Sequence, residues 1–408
     1  MNRRRRIVLG AGLALVGGVS AAIWRFWPEQ GFWNPCRATL PRRLAGHELV
    51  QAAWEGIDAA QMWDTHAHLV GTGDSGSGVF VNPQMESLLN PGQYARRLFF
   101  LNAGCAHDAP GSVDRAYVER IRNLIDGLRP GAKLMLYAFE RAYDEAGKVD
   151  LERTPFHVPD SYAREVARAH PAYFEWVASI HPYRPDCVEQ LERAKREGAR
   201  GVKWLPSAMG IDPASSKCDA FYQALAKTNL PLISHAGEER AVLGREAHDF
   251  GNPLRLRRAL DAGVRVVVAH CASLGQDRDL DKGGVVVESF SLFERLMAQP
   301  QYEKNLYADI SAMTQVNRAG PHLVRVLERG EWHARLLNGS DYPLPGVMPI
   351  FSVDYLVSLK LIPESAAPIL REIRLHNPLL FDFVLKRHLR HQGKGFAARI
   401  FETRKFFE

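Results

Sequence analysis

The segment 62–69, MWDTHAHL, carries two histidines one residue apart, just after an aspartate. Side chains at i and i+2 of a β-strand project to the same face. On a strand, His66 and His68 stand side by side, about 6–7 Å apart along the backbone. Two neutral imidazoles so placed can converge on one metal ion. The competing reading is a strand end carrying two surface histidines. Other apolar runs also end in ionisable residues: His181 in WVASIHP, Lys203 in GVKWLP, and His235 in PLISHAGEE with Glu238 and Glu239 just beyond. The later runs carry His270 in RVVVAHCAS, Asp309 in NLYADISA and Asp341 in RLLNGSDYP. Any one of these alone is more often a hydrogen-bonded core or rim residue. Four runs delivering His-x-His, His, His and Asp to one place are different. Buried polar groups destabilise a fold unless they are paired, and a metal ion is a natural common partner. Imidazole nitrogens with a carboxylate oxygen suit zinc, and also iron or manganese.

Those residues can meet only if the runs that carry them share one sheet. Eight strand candidates occupy 62–69, 133–140, 175–182, 199–206, 231–238, 265–272, 305–312 and 335–342. Between most of them lie amphipathic stretches such as DCVEQLERAKREGA, KCDAFYQALAKTN and NPLRLRRALDAG, with apolar spacings of three and four that predict helices. Strands alternating with helices predict a parallel sheet, and eight such units predict an α/β fold of the (β/α)8 type. In that architecture the site lies at the C-terminal ends of the strands, where the ionisable residues fall. The run 95–105, ARRLFFLNAGC, reads as a helix rather than a ninth strand. The first connection, roughly 70–132, is then very long. It contains GTGDSGSG, which reads as too flexible for a core element. Long loops in compact domains are usually functional or disordered; this one is expected to act as a lid or substrate loop, with a disordered insertion as the competing reading.

The chain has 408 residues, 46% apolar and 24% charged, a globular composition. Its net charge of +6 is uneven: Arg3 to Arg6 supply four positive charges, and the tail from Lys386 to Lys405 is also basic and reads as a solvated terminal helix. The body between is near neutral, so no nucleic-acid partner is expected. The four arginines precede an uncharged run, 7–24. This pattern predicts a signal peptide or membrane anchor over 1–28, with the basic end cytoplasmic. Residues 29–61 read as a linker or N-terminal extension, and 62–408 as the barrel with C-terminal helices. The expected location is the periplasm, free or anchored to the inner membrane, with the N-terminal segment engaging membrane or export machinery. The five cysteines have no metal-type spacing. Their odd number leaves at least one thiol unpaired within a monomer, and Cys271 reads as a small buried residue.

The ordered motifs resemble the amidohydrolase superfamily of metal-dependent hydrolases, in its amidohydrolase-2 branch. DTHAHL is similar to that family's first-strand motif, SHAGE, VVAHCAS and NGSDYP to the fifth, sixth and eighth, and HNPLLFDFVLKR to the closing helix. The resemblance implies His66, His68 and His235 as metal ligands, with Asp341 touching the metal and acting as base for the attacking water. His270 binds a second metal or orients substrate and water. Lys203 resembles the lysine that is carboxylated and bridges two metals in binuclear members; left unmodified, it can hold a substrate carboxylate as a point charge. One divalent ion is expected, zinc before manganese or iron, and two if Lys203 is carboxylated. Asp64 is expected to orient a ligand or cap its strand. The implied activity is hydrolysis of an ester, amide or lactone-type bond in a small substrate. The alternatives are non-oxidative decarboxylation of an unsaturated or aromatic acid, and a non-catalytic envelope binding protein. Trp204 and Tyr342 suggest a ring-bearing ligand.

Overall fold

The computed structural model describes residues 32–408 except 38, 108, 110, 243 and 244. The basic start and the apolar run 7–24 lie outside the described residues, together with the export and anchor readings placed on them. Among the described residues no helix is long and apolar enough to cross a membrane.

Eight parallel strands form the centre: β1 (Trp63–His68), β2 (Lys133–Tyr137), β3 (Phe174–Val177), β4 (Val202–Trp204), β5 (Leu232–His235), β6 (Val266–Ala269), β7 (Leu306–Asp309) and β8 (Leu336–Leu337). Pairing runs β1-β2-β3 and β4-β5-β6-β7-β8. Backbone hydrogen bonds join the two arcs at both seams. Lys203 donates to the Ala178 carbonyl at 2.8 Å, beside β3. At the other seam Thr65 donates to Asn338 at 3.0 Å, Asp341 to His66 at 2.8 Å and His68 to Tyr342 at 2.7 Å. The arcs therefore close into a (β/α)8 barrel. The observed strands sit inside the expected runs or within one residue of them, and are shorter. β6 is four consecutive buried residues, VVVA, as expected of strands covered on both faces.

The helices lie outside, among them α1 (Glu48–Ala53), α2 (Pro91–Ala103), α3 (Val113–Ile125), α4 (Asp160–Ala169), α5 (Cys187–Arg196), α6 (Asp219–Thr228), α7 (Ser289–Met297), α8 (Pro321–Glu328), α9 (Ala367–His376) and α10 (Pro378–His388). The run 95–105 is helical as expected, within α2. The barrel interior is filled from below by Trp63, Met135, Val177, Ile233, Val267 and Leu337, with Phe407 seated among them. This corrects the reading of the basic tail as a solvated helix. Its last turn caps the barrel floor, because Phe401 and Phe407 are buried and Thr403 bonds to the backbone of Trp63. Lys386 is buried too, donating to Asp382 at 2.6 Å and to the Gly339 carbonyl at 2.7 Å. Residues 42–54 likewise do more than link: Leu44, Val50 and Trp54 are buried, and Trp54 packs on Phe383 of α10 at 4.3 Å.

The glycine-serine stretch departs from expectation. It is ordered because the buried carboxylate of Asp114, at the start of α3, accepts from the Thr72 amide at 2.7 Å and the Ser75 and Ser77 hydroxyls at 2.7 and 2.6 Å. Gly73 has φ +82°, and a Cβ there would lie 2.5 Å from the Val79 carbonyl oxygen, so only glycine fits the turn. The first connection is thus two helices and an anchored loop rather than a free flap. Its short strand Phe80–Val81 pairs with Phe156–His157.

A disulfide links Cys36 to Cys105, just past α2, while Cys187, Cys218 and Cys271 are free and buried. The bridge closes a loop across 69 positions, for which chain entropy gives at most about 4 kcal/mol of stabilisation. Cys36→Ser is expected to lower the calorimetric unfolding midpoint. An unchanged midpoint would mean that the bridge contributes nothing.

Candidate metal centre and active site

The site is assembled at the C-terminal ends of the strands. His66 and His68 project from β1 to one side, with ring centroids 5.3 Å apart, as the spacing predicts. Across the seam, Asp341 follows β8, and its Oδ1 lies 3.5 Å from His66 Nε2 and 3.2 Å from His68 Nε2. His270 follows β6, stacks on His66 at 4.9 Å and places Nε2 3.8 Å from Asp341 Oδ2. One ligand-type atom each from His66, His270 and Asp341 lies within 4.8 Å of the other two. The His235 ring, at the end of β5, is 5.4 Å from that of His270. Lys203 Nζ, on β4, is 3.3 Å from His66 Nε2. The structure therefore brings together the six residues to which the resemblance gave a metal or catalytic role, His66, His68, Lys203, His235, His270 and Asp341.

Asp309, the last residue of β7, positions two of the imidazoles. Its Oδ2 accepts from His66 Nδ1 at 2.9 Å, and its Oδ1 from the His270 amide at 3.0 Å. Ser311 completes the arrangement: its carbonyl accepts from His270 Nδ1 at 3.0 Å, and its hydroxyl bonds to Asp309. With Nδ1 protonated on both rings, each Nε2 keeps a lone pair facing the centre. His235 follows the same logic. Its Nδ1 lies 3.5 Å from the Glu239 carboxylate, and its buried Nε2 has no hydrogen-bond partner among the described residues. An orphaned, buried lone pair beside two others and a carboxylate fits a divalent cation. The expected second role for Asp64 is also visible: it accepts from the His66 amide at 3.1 Å and the Ser340 amide at 2.8 Å. It thereby locks β1 to the loop that carries Asp341.

Burial sets the charges. It pushes the pKa of His66 and of His270 well below the usual imidazole range, and that of His235 down to about 4. All three are thus neutral, the form that ligates metal. Burial would raise the Asp341 carboxyl, but its polar neighbours, among them a hydrogen bond from His68 and the Lys203 ammonium, outweigh it and hold it below its ordinary value. Burial lowers the Lys203 ammonium to about 8 against the attraction of Asp309, Asp341 and Glu239. His270 and Asp341 have φ of +56° and +61°, and Cys271 and Ala272 are also left-handed. Such backbone costs about 1–3 kcal/mol per residue and clusters at functional sites.

Above the centre a cleft of about 150 Å³ opens to solvent, floored by His68, Lys203, His235, His270 and Asp341. The first connection supplies a wall through Val79, Val81 and Phe100, and the connection after β2 another through Phe139, Phe156 and Val158. The aromatic residues expected to line it do not. Trp204 follows Lys203 and so faces outward, where its ring packs on Phe221 and Tyr222. Tyr342 is fully buried against Tyr117. His181 lies past β3, with Nε2 3.0 Å from the Met209 carbonyl, so it is a core histidine outside the centre. The sequence reading gave no role to Ser311, Gln315 or Arg318; the last two line the cleft from the loop after β7.

The profile of the Amidohydro_2 family, described as amidohydrolase, matches residues 63–361. The chain belongs to the amidohydrolase family. Amidohydrolases of this branch are metal-dependent enzymes, in keeping with the donor set. Solved structures similar in fold include an uncharacterised TIM-barrel protein from Bordetella bronchiseptica, at 16% identity over 77% of this chain and 95% of that one (TM-score 0.43). Another is a candidate 2-pyrone-4,6-dicarboxylic acid hydrolase from Pseudomonas putida, at 14% identity over 79% and 97% (TM-score 0.43). A third is a manganese-bound 5-carboxyvanillate decarboxylase from Novosphingobium aromaticivorans, at 13% identity over 86% and 99% (TM-score 0.44). At this similarity they inform on neither substrate nor reaction. No curated protein matches the sequence.

Two outcomes are expected. Asp309→Asn removes the anionic support of His66 and should weaken metal affinity by about ten- to a hundredfold, read by chelator competition. The second concerns pH. Burial pushes His181 down to about 3, against about 6.5 when unfolded. Between those values the unfolded chain binds more protons, so stability falls as pH drops through that window. From pH 7 to pH 5 this one group should cost about 2 kcal/mol. His181→Asn should make the unfolding midpoint less dependent on pH than in the unsubstituted protein.

Proposed function

We propose that this amidohydrolase is a metal-dependent hydrolase acting on an ester, amide or lactone-type bond of a small substrate in the cleft. The observation that carries the reading is the convergence of the His66 and His270 Nε2 atoms on the buried, ionised Asp341, with the partnerless Nε2 of His235 nearby, at the floor of an open cleft. His66, His68, His235 and Asp341 would hold one divalent ion, zinc first, with manganese and iron also suiting the donors. When bound, the ion supplies Lewis acidity and makes water a nucleophile near neutral pH.

The chain's own residues do the rest. Asp341, held ionised by its neighbours, takes a proton from the attacking water and returns it to the leaving group. His270, with Nδ1 committed to Ser311, offers an Nε2 lone pair that orients the water. Lys203 places an amine 3.3 Å from His66 Nε2. It either binds an anionic group as an ammonium or, carboxylated, supports a second ion. The ammonium form favours a second reading, decarboxylation of a carboxylate-bearing substrate at the same centre. Carbon dioxide release without bond hydrolysis would select it. Export is proposed for the whole chain, supported by the basic and apolar N-terminal pattern and by the Cys36–Cys105 disulfide, a bond favoured in oxidising compartments.

Metal content per chain tests the reading. About one equivalent is expected, lost in His66→Ala/His68→Ala. About two would point to a carboxylated Lys203. No metal after metal-replete purification would remove the mechanism. Asp341→Asn is expected to keep metal yet lose turnover by at least about a hundredfold. Retained turnover would take Asp341 out of the chemistry.

A further inference from the structure

The cleft holds a cation that the hydrolytic reading does not use. Arg318, in the loop after β7, is only 8% exposed yet lines the cleft beside His235, Glu239 and Asp341. Among the described residues it forms no ion pair. Its one hydrogen bond runs from Nη1 to the Ser273 hydroxyl at 3.2 Å, and its buried Nε has no acceptor. Gln315, one turn earlier in the same loop and 6% exposed, also lines the cleft, and its Nε2 likewise lacks an acceptor. The other two arginines at the cleft differ: Arg97 pairs with Glu86 at 3.0 Å, and Arg240 with Glu238 at 2.7 Å. A buried guanidinium with no carboxylate in salt-bridge contact is unfavourable. Evolution of a stable core gives no reason to set a second unpaired donor beside it.

We propose that Arg318 and Gln315 seat a carboxylate of the substrate, so that the cleft takes an amphipathic monoacid with its apolar body against the Phe100, Phe139 and Phe156 wall. A guanidinium edge and an amide N–H match the planar geometry of a carboxylate. The carboxylates of Glu239, Asp309 and Asp341 lie close enough to act on Arg318. One guanidinium in a cleft also lined by Glu239 and Asp341 suits a singly charged group better than a phosphate dianion. The side walls are largely apolar above a polar floor, and a cavity of about 150 Å³ with such walls accepts one small ring. This proposal rests on the reading of the cleft as a substrate site, but not on the metal or on hydrolysis.

Calorimetric titration with phenylacetate and with phenylacetamide separates the parts. On chelator-treated protein, the acid is expected to bind at least about tenfold more tightly than the amide, since a hydrogen bond to a charged group is being made. Arg318→Gln should bring the two ligands to within about twofold, chiefly by weakening acid binding. Arg318→Lys should keep part of the preference. Equal binding of acid and amide by the unsubstituted protein would overturn the proposal, as would a preference that survives Arg318→Gln. So would a preference seen only in metal-loaded protein, which would put the carboxylate on the metal. If Arg318→Gln shows no cooperative unfolding, Gln315→Leu takes its place. It should weaken acid binding about fivefold, more than amide binding, and unchanged acid binding would overturn the proposal. Absence of metal or turnover in the unsubstituted protein would sink the hydrolase reading alone and leave this selectivity standing.

Discussion

Six ionisable side chains share the top of the barrel, and Asp309 is the group that lets them be buried there. Its carboxylate is fully enclosed, and it accepts from the His66 ring, the His270 amide and Ser311. Without those bonds it would be an uncompensated charge in the core, and the two imidazoles would lose the tautomer that aims their Nε2 atoms inward. One residue at the end of β7 therefore ties together β1, β6 and its own strand. Asp64 performs the matching task at the β1–β8 seam, where it holds the amides of His66 and Ser340. The centre depends on these two supports as much as on the residues that face the cleft.

The surrounding architecture serves the same end. Phe407 and the terminal turn pack against the apolar barrel floor, and the polar centre opens to solvent through the cleft. The cleft wall is built from insertions rather than from strands. α2, the loop folded on Asp114 and the short strand pair Phe80–Val81 with Phe156–His157 together supply most of its apolar surface. The Cys36–Cys105 bridge fixes the end of α2 to the N-terminal extension. A wall made this way can change its side chains without disturbing the strands.

Strain is concentrated where the chemistry would be. His270, Cys271 and Ala272 are consecutive left-handed residues, and Asp341 is another. The chain must turn sharply at the ends of β6 and β8 to send an imidazole and a carboxylate back over the barrel mouth. The ordered hydrogen bonds of Asp309 and Ser311 offset that cost locally.

The amino-acid sequence alone determined the strand and helix rhythm, and with it the barrel. Each apolar run is short and ends in a polar residue, and a period of two fixes which side chains share a face. That local rule was enough to put His66 beside His68 and to nominate Lys203, His235, His270 and Asp341. The same rule, applied to Lys203, would have turned Trp204 away from the site. Only the tertiary structure decided what depends on residues far apart in the chain: that Asp309 and Ser311 support the histidines, that Asp114 orders the glycine-serine loop, and that the basic tail plugs the floor. It alone left the Nε of Arg318 and the Nε2 of Gln315 without an acceptor among the described residues. Whether a buried donor is satisfied is a property of three-dimensional neighbours, and no spacing along one chain encodes it.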